Sequence, residues 1–580
     1  MIRCLLPFLL LGCGSSDSSG GDEVIVESDI ASIRVEPSEI QLETNSDDPA
    51  VVEFKAIATT DGGEEVETDM VAWSVSNLSA GSVDENGRFE TSTLNGGITT
   101  VTANHVGIEG SATVTVVYKQ DVVEDGLSDV LATAFDVAAA SESTLPSLEY
   151  PHDGVTVPRN LNGLAFTWDT PDGTNVSRIR LQSGITDMRI YTEGDEWIST
   201  SDVWATIAAS NTSGSVDLTL ESGNWDGTNL TNVSRGPGMS LTVNRLDARG
   251  SVLYWVARSG GGGAGGAVGD IMRIPFGSTS AEAFWSSEDA GGQCVGCHTL
   301  VEADEKMVVT HSGVNGNFSV VDVSDPDAPS LDLGTAEERR ATFHAAHPDG
   351  ELLLAVLDGQ ARVYSLTDGS MLQTIETGGR VSHPDWSPDG NSILFARVTG
   401  TSMNDMNFEG GEIIQLSYNG SSFGSPEVLV AATDEQNNYY PAYSPDGEWI
   451  VWNRAVRTEI RNPDGSTHYS STCYANPSAE LWLMARDGTY QTRLEAANGE
   501  GELQNSFPRW GPLPDDDVLW LAFSSTRSYS VDPNGGVPQI WVSAIEPEKI
   551  LEGEDPSSAP FWLPAQDSQS DNHLAIWWSK

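Results

Sequence analysis

The sequence predicts an all-β chain, two β-sandwich modules followed by a six-bladed β-propeller. Three observations predict it. From Ile30 to about Lys119, apolar and polar residues alternate in short runs broken by Gly, Asp and Asn turns, the period-two pattern of half-buried strands. A second stretch of the same kind covers 148–287. Beyond residue 300 the chain repeats itself, with Pro-Asp-Gly turns whose aspartates, Asp349, Asp389 and Asp446, stand 40 and 57 residues apart, a blade-sized period with one insertion.

The N-terminus holds one early cation, Arg3, then an apolar run through Leu11, too short to span a bilayer and suited to a signal h-region. It ends in Leu10-Leu11-Gly12-Cys13, which resembles the lipobox of bacterial lipoproteins. The resemblance implies a signal peptide over 1–12, lipidation at Cys13, and a flexible polar tether over 13–29. The expected setting is therefore the cell envelope, the outer membrane or cell surface, with the lipid as the membrane contact. No later stretch has the roughly 18 apolar residues of a transmembrane helix. The 85 acidic residues against 29 basic give a net charge of −56, which excludes nucleic acid as a partner because a phosphate backbone would be repelled. No Asp-x-Asp-x-Asp-Gly calcium loop accompanies that charge.

The module over 30–119 carries Val35-Glu-Pro37, Trp73-Ser-Val-Ser-Asn77, Val83-Asp-Glu-Asn-Gly-Arg-Phe89 and Gly110-Ser-Ala-Thr-Val-Thr-Val116. These pieces resemble the bacterial Ig-like domains of group 2, which implies a spacer or adhesive stalk unit. Residues 120–147 lack a sustained pattern and read as a linker or a short helix. The module over 148–287 opens with Tyr150-Pro-His-Asp-Gly154 and Leu164-Ala-Phe-Thr-Trp168 and resembles a fibronectin type III sandwich. Its glycine run, 259–266, is followed by no helix and no Lys-Ser/Thr, so it lacks what a phosphate loop needs.

In the repeat, an aromatic residue or His and an apolar residue precede Pro-Asp-Gly, and two strand-like runs follow. The clearest copies are 343–350, 382–390 and 440–447; weaker ones are Ser506-Phe-Pro-Arg-Trp-Gly-Pro512 and Ala559-Pro-Phe-Trp-Leu-Pro564. Blades cannot bury both faces alone and must stack around an axis. The Ser-Pro-Asp-Gly signature resembles TolB-type propellers and implies a propeller over 301–580 that presents a face to a partner; Val320 to Pro329 resembles a related exported repeat.

One motif carries chemistry. In the segment 288–300, Cys294-Val-Gly-Cys297-His298 has the attachment spacing of c-type haem, with two thiols for the vinyl groups and an imidazole for the iron. Cys294 and Cys297 are thus the expected thioether positions and His298 the proximal ligand, with haem c as the cofactor. A disulfide, a redox dithiol and half a zinc site remain as other readings of the same residues. Matching Asp304 with Asp389 and Asp446 sets His298 level with His383 and Tyr440 and makes the motif open the first blade. His344 or His383 is then the candidate distal ligand, with His347 and Met307 behind them. Cys473 is expected to be a buried free thiol.

Two functions follow as expectations. One is a monohaem protein that transfers electrons at the cell envelope to a redox or protein partner at the propeller face. The other is a non-enzymatic adhesion or binding protein, a propeller head on an Ig-like stalk, with the cysteine pair as a disulfide. An enzyme is not expected: Gly420-Ser-Ser-Phe-Gly424 has the letters of a nucleophile elbow but sits in an Asn-Gly turn with no helix behind it.

Overall fold

The computed structural model describes residues 30–580 except 263–265, 302, 304, 312–315, 324–339, 401–403, 462, 464, 466, 471–472, 474–475, 513–517 and 530–536. The expected signal peptide and tether with Cys13, together with Asp304 and much of the Val320 to Pro329 piece, lie outside the described residues. Among the described residues no helix is long and apolar enough to cross a membrane.

The chain divides into two compact units, residues to Ser92 with Ile98–Val116, and Thr93–Gly97 with Val117–Lys580. The first unit is built from short antiparallel sheets. Ile30–Glu36 pairs with Lys55–Thr60, which pairs with Glu65–Thr68; Val51–Glu53 and Gly81–Val83 flank Arg88–Thr91. The alternation in the sequence becomes alternation in burial: along Gly97–His105 every second residue is buried. Val35, Phe54, Ala58, Phe89, Val101 and Val114 meet in one core, with Phe54 edge-on to Phe89 at 6.4 Å.

In the second unit, residues 120–147 are ordered structure. Tyr118–Val123 pairs in parallel with Thr186–Tyr191, and the helix Val130–Val137 buries Leu131 and Phe135 against Val176, Tyr191, Trp225 and Val233. Two contacts four residues apart are too few to show as a periodic pattern, which is why the sequence displays only a short helix there. The sandwich that follows sets Ala165–Asp169 with its neighbours Ser147–Tyr150 and Glu196–Ile198 in one sheet, and Val176–Gln182, Thr186–Thr192 and Ser215–Trp225 in another. Phe166, Trp168, Ile179, Leu181 and Leu218 share its core. A helix, Ser201–Ser210, starts on the Thr200 hydroxyl, which accepts from Val203 N–H, and buries Trp204 and Ile207.

Among the described residues the propeller has six four-stranded antiparallel blades. Their innermost strands are β1 (Val295–Val301), β2 (Phe343–Ala346), β3 (Arg380–Trp386), β4 (Gln436–Tyr443), β5 (Ser506–Trp510) and β6 (Asp571–Trp578). Each neighbours the next and β6 neighbours β1, so the ring closes. The strand-like runs expected after Asp389 and Asp446 are Ser392–Val398 with Gly411–Ser417 and Trp449–Val456 with Glu480–Ala485. Inserted in the β4 blade is the hairpin of Thr458–Arg461 and Thr467–Ser470.

The ring begins earlier than the expected 301. Ser251–Gly262, Gly266–Pro275 and Glu282–Trp285 form one sheet with the C-terminal β6, so the expected 148–287 module gives its last three strands to the propeller and residues 288–300 lie within the ring. The sixth blade is this split one. Ala559–Pro564 opens no blade; it holds Phe561–Trp562, the outer strand of the β5 blade. The physical reason is connectivity: the signature marks the hairpin between a first and a second strand, and β6 has no hairpin after it.

Candidate functional site

The hairpin ladders fix how the blades correspond. Val301 pairs with Lys306, while His347, Ser387 and Ser444 donate their N–H groups to the carbonyls of Leu352, Ser392 and Trp449. Four residues before each of these positions stand Cys297, Phe343, His383 and Tyr440. His298 is therefore level with His344 and Pro384, one residue off the expected match with His383 and Tyr440. The expected alignment rests on Asp304, outside the described residues, whereas the ladder counts from pairs that are described.

Most of the inner strands carry a β-bulge here. The register slips between Ser382 and Asp385, Tyr439 and Ala442, Ser506 and Arg509, and Val295 and His298. His383, Tyr440, Phe507 and Leu574 take left-handed φ values of 48°, 48°, 55° and 54°. The first three are each followed by proline, which a bulge tolerates because the extra residue leaves the ladder. The His/aromatic-Pro pairs in the sequence are thus the signal of a repeated bulge facing the axis.

The bulge residues close the channel. Phe343 and His383 rings lie 4.5 Å apart, His383 and Tyr440 3.8 Å, Tyr440 and Phe507 4.4 Å, and Cys297 and Leu574 pack against the same cluster. Against this aromatic plug lies a cavity of about 50 Å³, room for about four waters. His298 and His344 line it from adjacent blades, and beyond them Thr299, Asp385 and Arg509.

His298 is 6% exposed and His344 7%. Neither ring nitrogen of His298 makes a hydrogen bond of good geometry, and the backbone of Gly296 and Leu253 acts on the ring only weakly; His344 shares Nε2 with the Thr310 hydroxyl at 3.1 Å, while Nδ1 lacks a well-formed bond and the backbone of Cys297 acts weakly on the ring. Burial pulls His298 down to about 4; burial, with His298 beside it, pulls His344 down to about 3. His383 accepts from Tyr440 N–H at Nδ1, 3.4 Å, and burial drives it well below its ordinary value. Burial pushes Asp385 up to about 6, against the pull of Arg509 and of the Tyr443 N–H, which Oδ2 accepts at 2.8 Å. Arg509 donates to the Pro508 carbonyl at 3.1 Å; among the described residues no salt bridge joins Arg509 or Asp385 to an opposite charge.

The structure brings together two of the expected residues, His298 and His344, and sets His383 in the plug one level away. His347 is remote from the axis, bonded to the Gly390 carbonyl and paired with Asp349 at 2.7 Å. Met307 is a fully buried core residue. Cys294 precedes β1, and Cys294, Cys297 and Cys473 are all thiols; burial pushes the Cys297 thiol up to about 12. A porphyrin is many times larger than a cavity for four waters, so the cavity between β1–β6 does not enclose one. Among the described residues no group of three His, Cys, Asp or Glu side chains is arranged to hold a metal ion. Sequence reasoning missed Asp385 and Arg509, although a signal existed. They are the charged third residues of His383-Pro-Asp385 and Phe507-Pro-Arg509, where the other blades place Thr299, Ala345, Ala442 and Ile576.

Six four-stranded blades around one axis, closed by a strand from the far end of the chain, define a β-propeller, here preceded by β-sandwich modules. No family model matches the sequence. The chain is 29% identical over 146 residues to "Uncharacterized peptidase YuxL" of Bacillus subtilis (strain 168), a match over 20% of this chain and 22% of that protein, so it spans about a fifth of the relative's length. Solved structures similar to it are TolB from Acinetobacter baumannii, at TM-score 0.35 and 14% identity over 63% of this chain and 79% of that one, and a putative TolB from Agrobacterium tumefaciens, at 0.32 and 16% over 56% and 98%.

Proposed function

We propose that the protein is an exported, lipid-anchored surface protein of a bacterial envelope whose propeller binds a small ligand at its axis without catalysing a reaction. The observation that carries this reading is the axial cavity, where two buried imidazoles whose nitrogens lack well-formed hydrogen bonds face an aspartate and an arginine that form no salt bridge with each other. Buried polar groups left unmatched cost about 1–3 kcal/mol each, a cost that a ligand offsets. The Gly12-Cys13 lipobox supports the anchor, and the Ig-like and sandwich modules suit a stalk. Incorporation of a labelled fatty acid that disappears in Cys13→Ser tests the anchor.

A c-type haem for electron transfer is the second reading. The Cys294-x-x-Cys297-His298 spacing and the unmatched nitrogens of His298 favour it, and the size of the cavity opposes it. The full chain expressed with its signal and with cytochrome c maturation decides between them: an α-band lost in Cys297→Ala establishes the haem, and a colourless protein leaves the binding propeller.

A further inference from the structure

The axial cavity has a charge pattern that narrows its ligand, and this step rests on the binding reading above. Arg509 and Asp385 come from β5 and β3, line the same cavity, and form no salt bridge with one another or with any other described residue. A simple anion would meet Arg509 but be opposed by Asp385; a simple cation would be opposed by Arg509. A neutral solute would displace water from both charges and answer neither. The pattern is answered by a molecule carrying both an anionic and a cationic group.

Size narrows it further. Room for about four waters in about 50 Å³ matches roughly the non-hydrogen atoms of glycine or alanine. The imidazoles of His298 and His344, both more than nine-tenths buried, hold nitrogens short of a well-formed hydrogen bond that can donate to a carboxylate or accept from an ammonium. The aromatic plug closes one side, while the partial exposure of Thr299, Asp385 and Arg509 marks the side open to solvent.

We propose that the propeller axis binds a small zwitterionic α-amino acid, its carboxylate held by the Arg509 guanidinium and its ammonium by the Asp385 carboxylate, with His298 and His344 completing the hydrogen bonds.

Calorimetric titration of the full, colourless chain tests this with glycine, L-alanine, acetate and ethylamine. Glycine or alanine is expected to bind at least tenfold more tightly than acetate or ethylamine, and Arg509→Gln and Asp385→Asn are each expected to weaken that binding at least tenfold with the unfolding temperature unchanged. The half-ligand comparison uses the unaltered chain, so it stands even where a variant folds poorly. Equal binding of acetate and glycine, or binding that survives both substitutions, overturns the zwitterion and leaves the binding reading intact. No heat from any of the four probes overturns it as well, whereas a haem α-band overturns the binding reading itself.

Discussion

Closure of the ring by β6 makes a quantitative claim about Trp577. The side chain is 6% exposed, stacks on Phe276 with ring centroids 4.8 Å apart and 7° between planes, and donates from Nε1 to the Arg249 carbonyl at 2.8 Å. Its backbone pairs with Val252 in the strand that begins the propeller. Trp577→Ala removes a buried aromatic, which costs about 3–5 kcal/mol, and the upper part of that range applies because a stacked pair worth about 1 kcal/mol and a hydrogen bond worth about 1 kcal/mol go with it. Against a total stability of about 5–15 kcal/mol that is a large fraction. Urea unfolding followed by far-ultraviolet circular dichroism reads it, with Leu551→Ala, at an exposed position, as the control expected to change stability by less than about 0.5 kcal/mol. The loss at Trp577 should move the transition of the propeller as a whole, because the blades share one closed ring. A loss below about 1 kcal/mol would refute the assignment of β6 as the closing strand.

Acid should weaken the fold through His152, which stacks on Trp541 at 6.0 Å and is held down to about 4 by burial and by Arg527. Its folded pKa is below the unfolded one, so stability is full above about 6.5 and falls as the pH drops towards 4. About 2 kcal/mol is gone at pH 5, and His152→Gln should flatten that part of a stability–pH profile. Gly390 sits at φ +67°, and a Cβ there would lie 2.5 Å from His347 Nε2; Gly390→Ala should cost about 1–2 kcal/mol, read as a lower unfolding temperature. Cys473 is fully buried and its thiol is raised by burial, so a maleimide should label Cys294 in the native protein and reach Cys473 only after denaturation.

The elements that declared themselves in the sequence are those with local cause and local effect. Alternation along Gly97–His105 is a consequence of one strand with one wet face, and the Pro-Asp-Gly turns are closed by their own residues: Asp389 accepts from Asn391 N–H at 3.0 Å and Gly390 N–H reaches the Ser387 carbonyl. The split blade did not declare itself, because Ser251 and Trp578 are partners only across the whole ring. The one-residue displacement of His298 has the same origin. Four of the six ring positions hold His383, Tyr440, Phe507 and Leu574 in a left-handed bulge, but the turn after β1 has no Pro-Asp-Gly, so spacing from an aspartate misjudged a hairpin that only ladder pairs define. The Cys294-x-x-Cys297-His298 spacing was legible; the width of the space around it was not, since that depends on six strands far apart in the chain.

The departures from the repeat collect at the axis. Where β3, β4 and β5 carry proline after the ring residue, β1 and β2 carry His298 and His344, and β2 runs through this level with Phe343 opposite Val356 and His344 opposite Ala355 in unbroken register. Proline or alanine would fill those places without unmatched nitrogens, as Pro384, Pro441, Pro508 and Ala575 do. One level further, two blades replace small or apolar residues with Asp385 and Arg509, each aligned with the same cavity. Polar groups buried without partners destabilise a ring that apolar residues would close at no such cost. Two buried imidazoles with incomplete hydrogen bonding and two charges without a salt bridge converging on one space, from four different strands, make an arrangement that packing alone does not require and that a bound solute would complete.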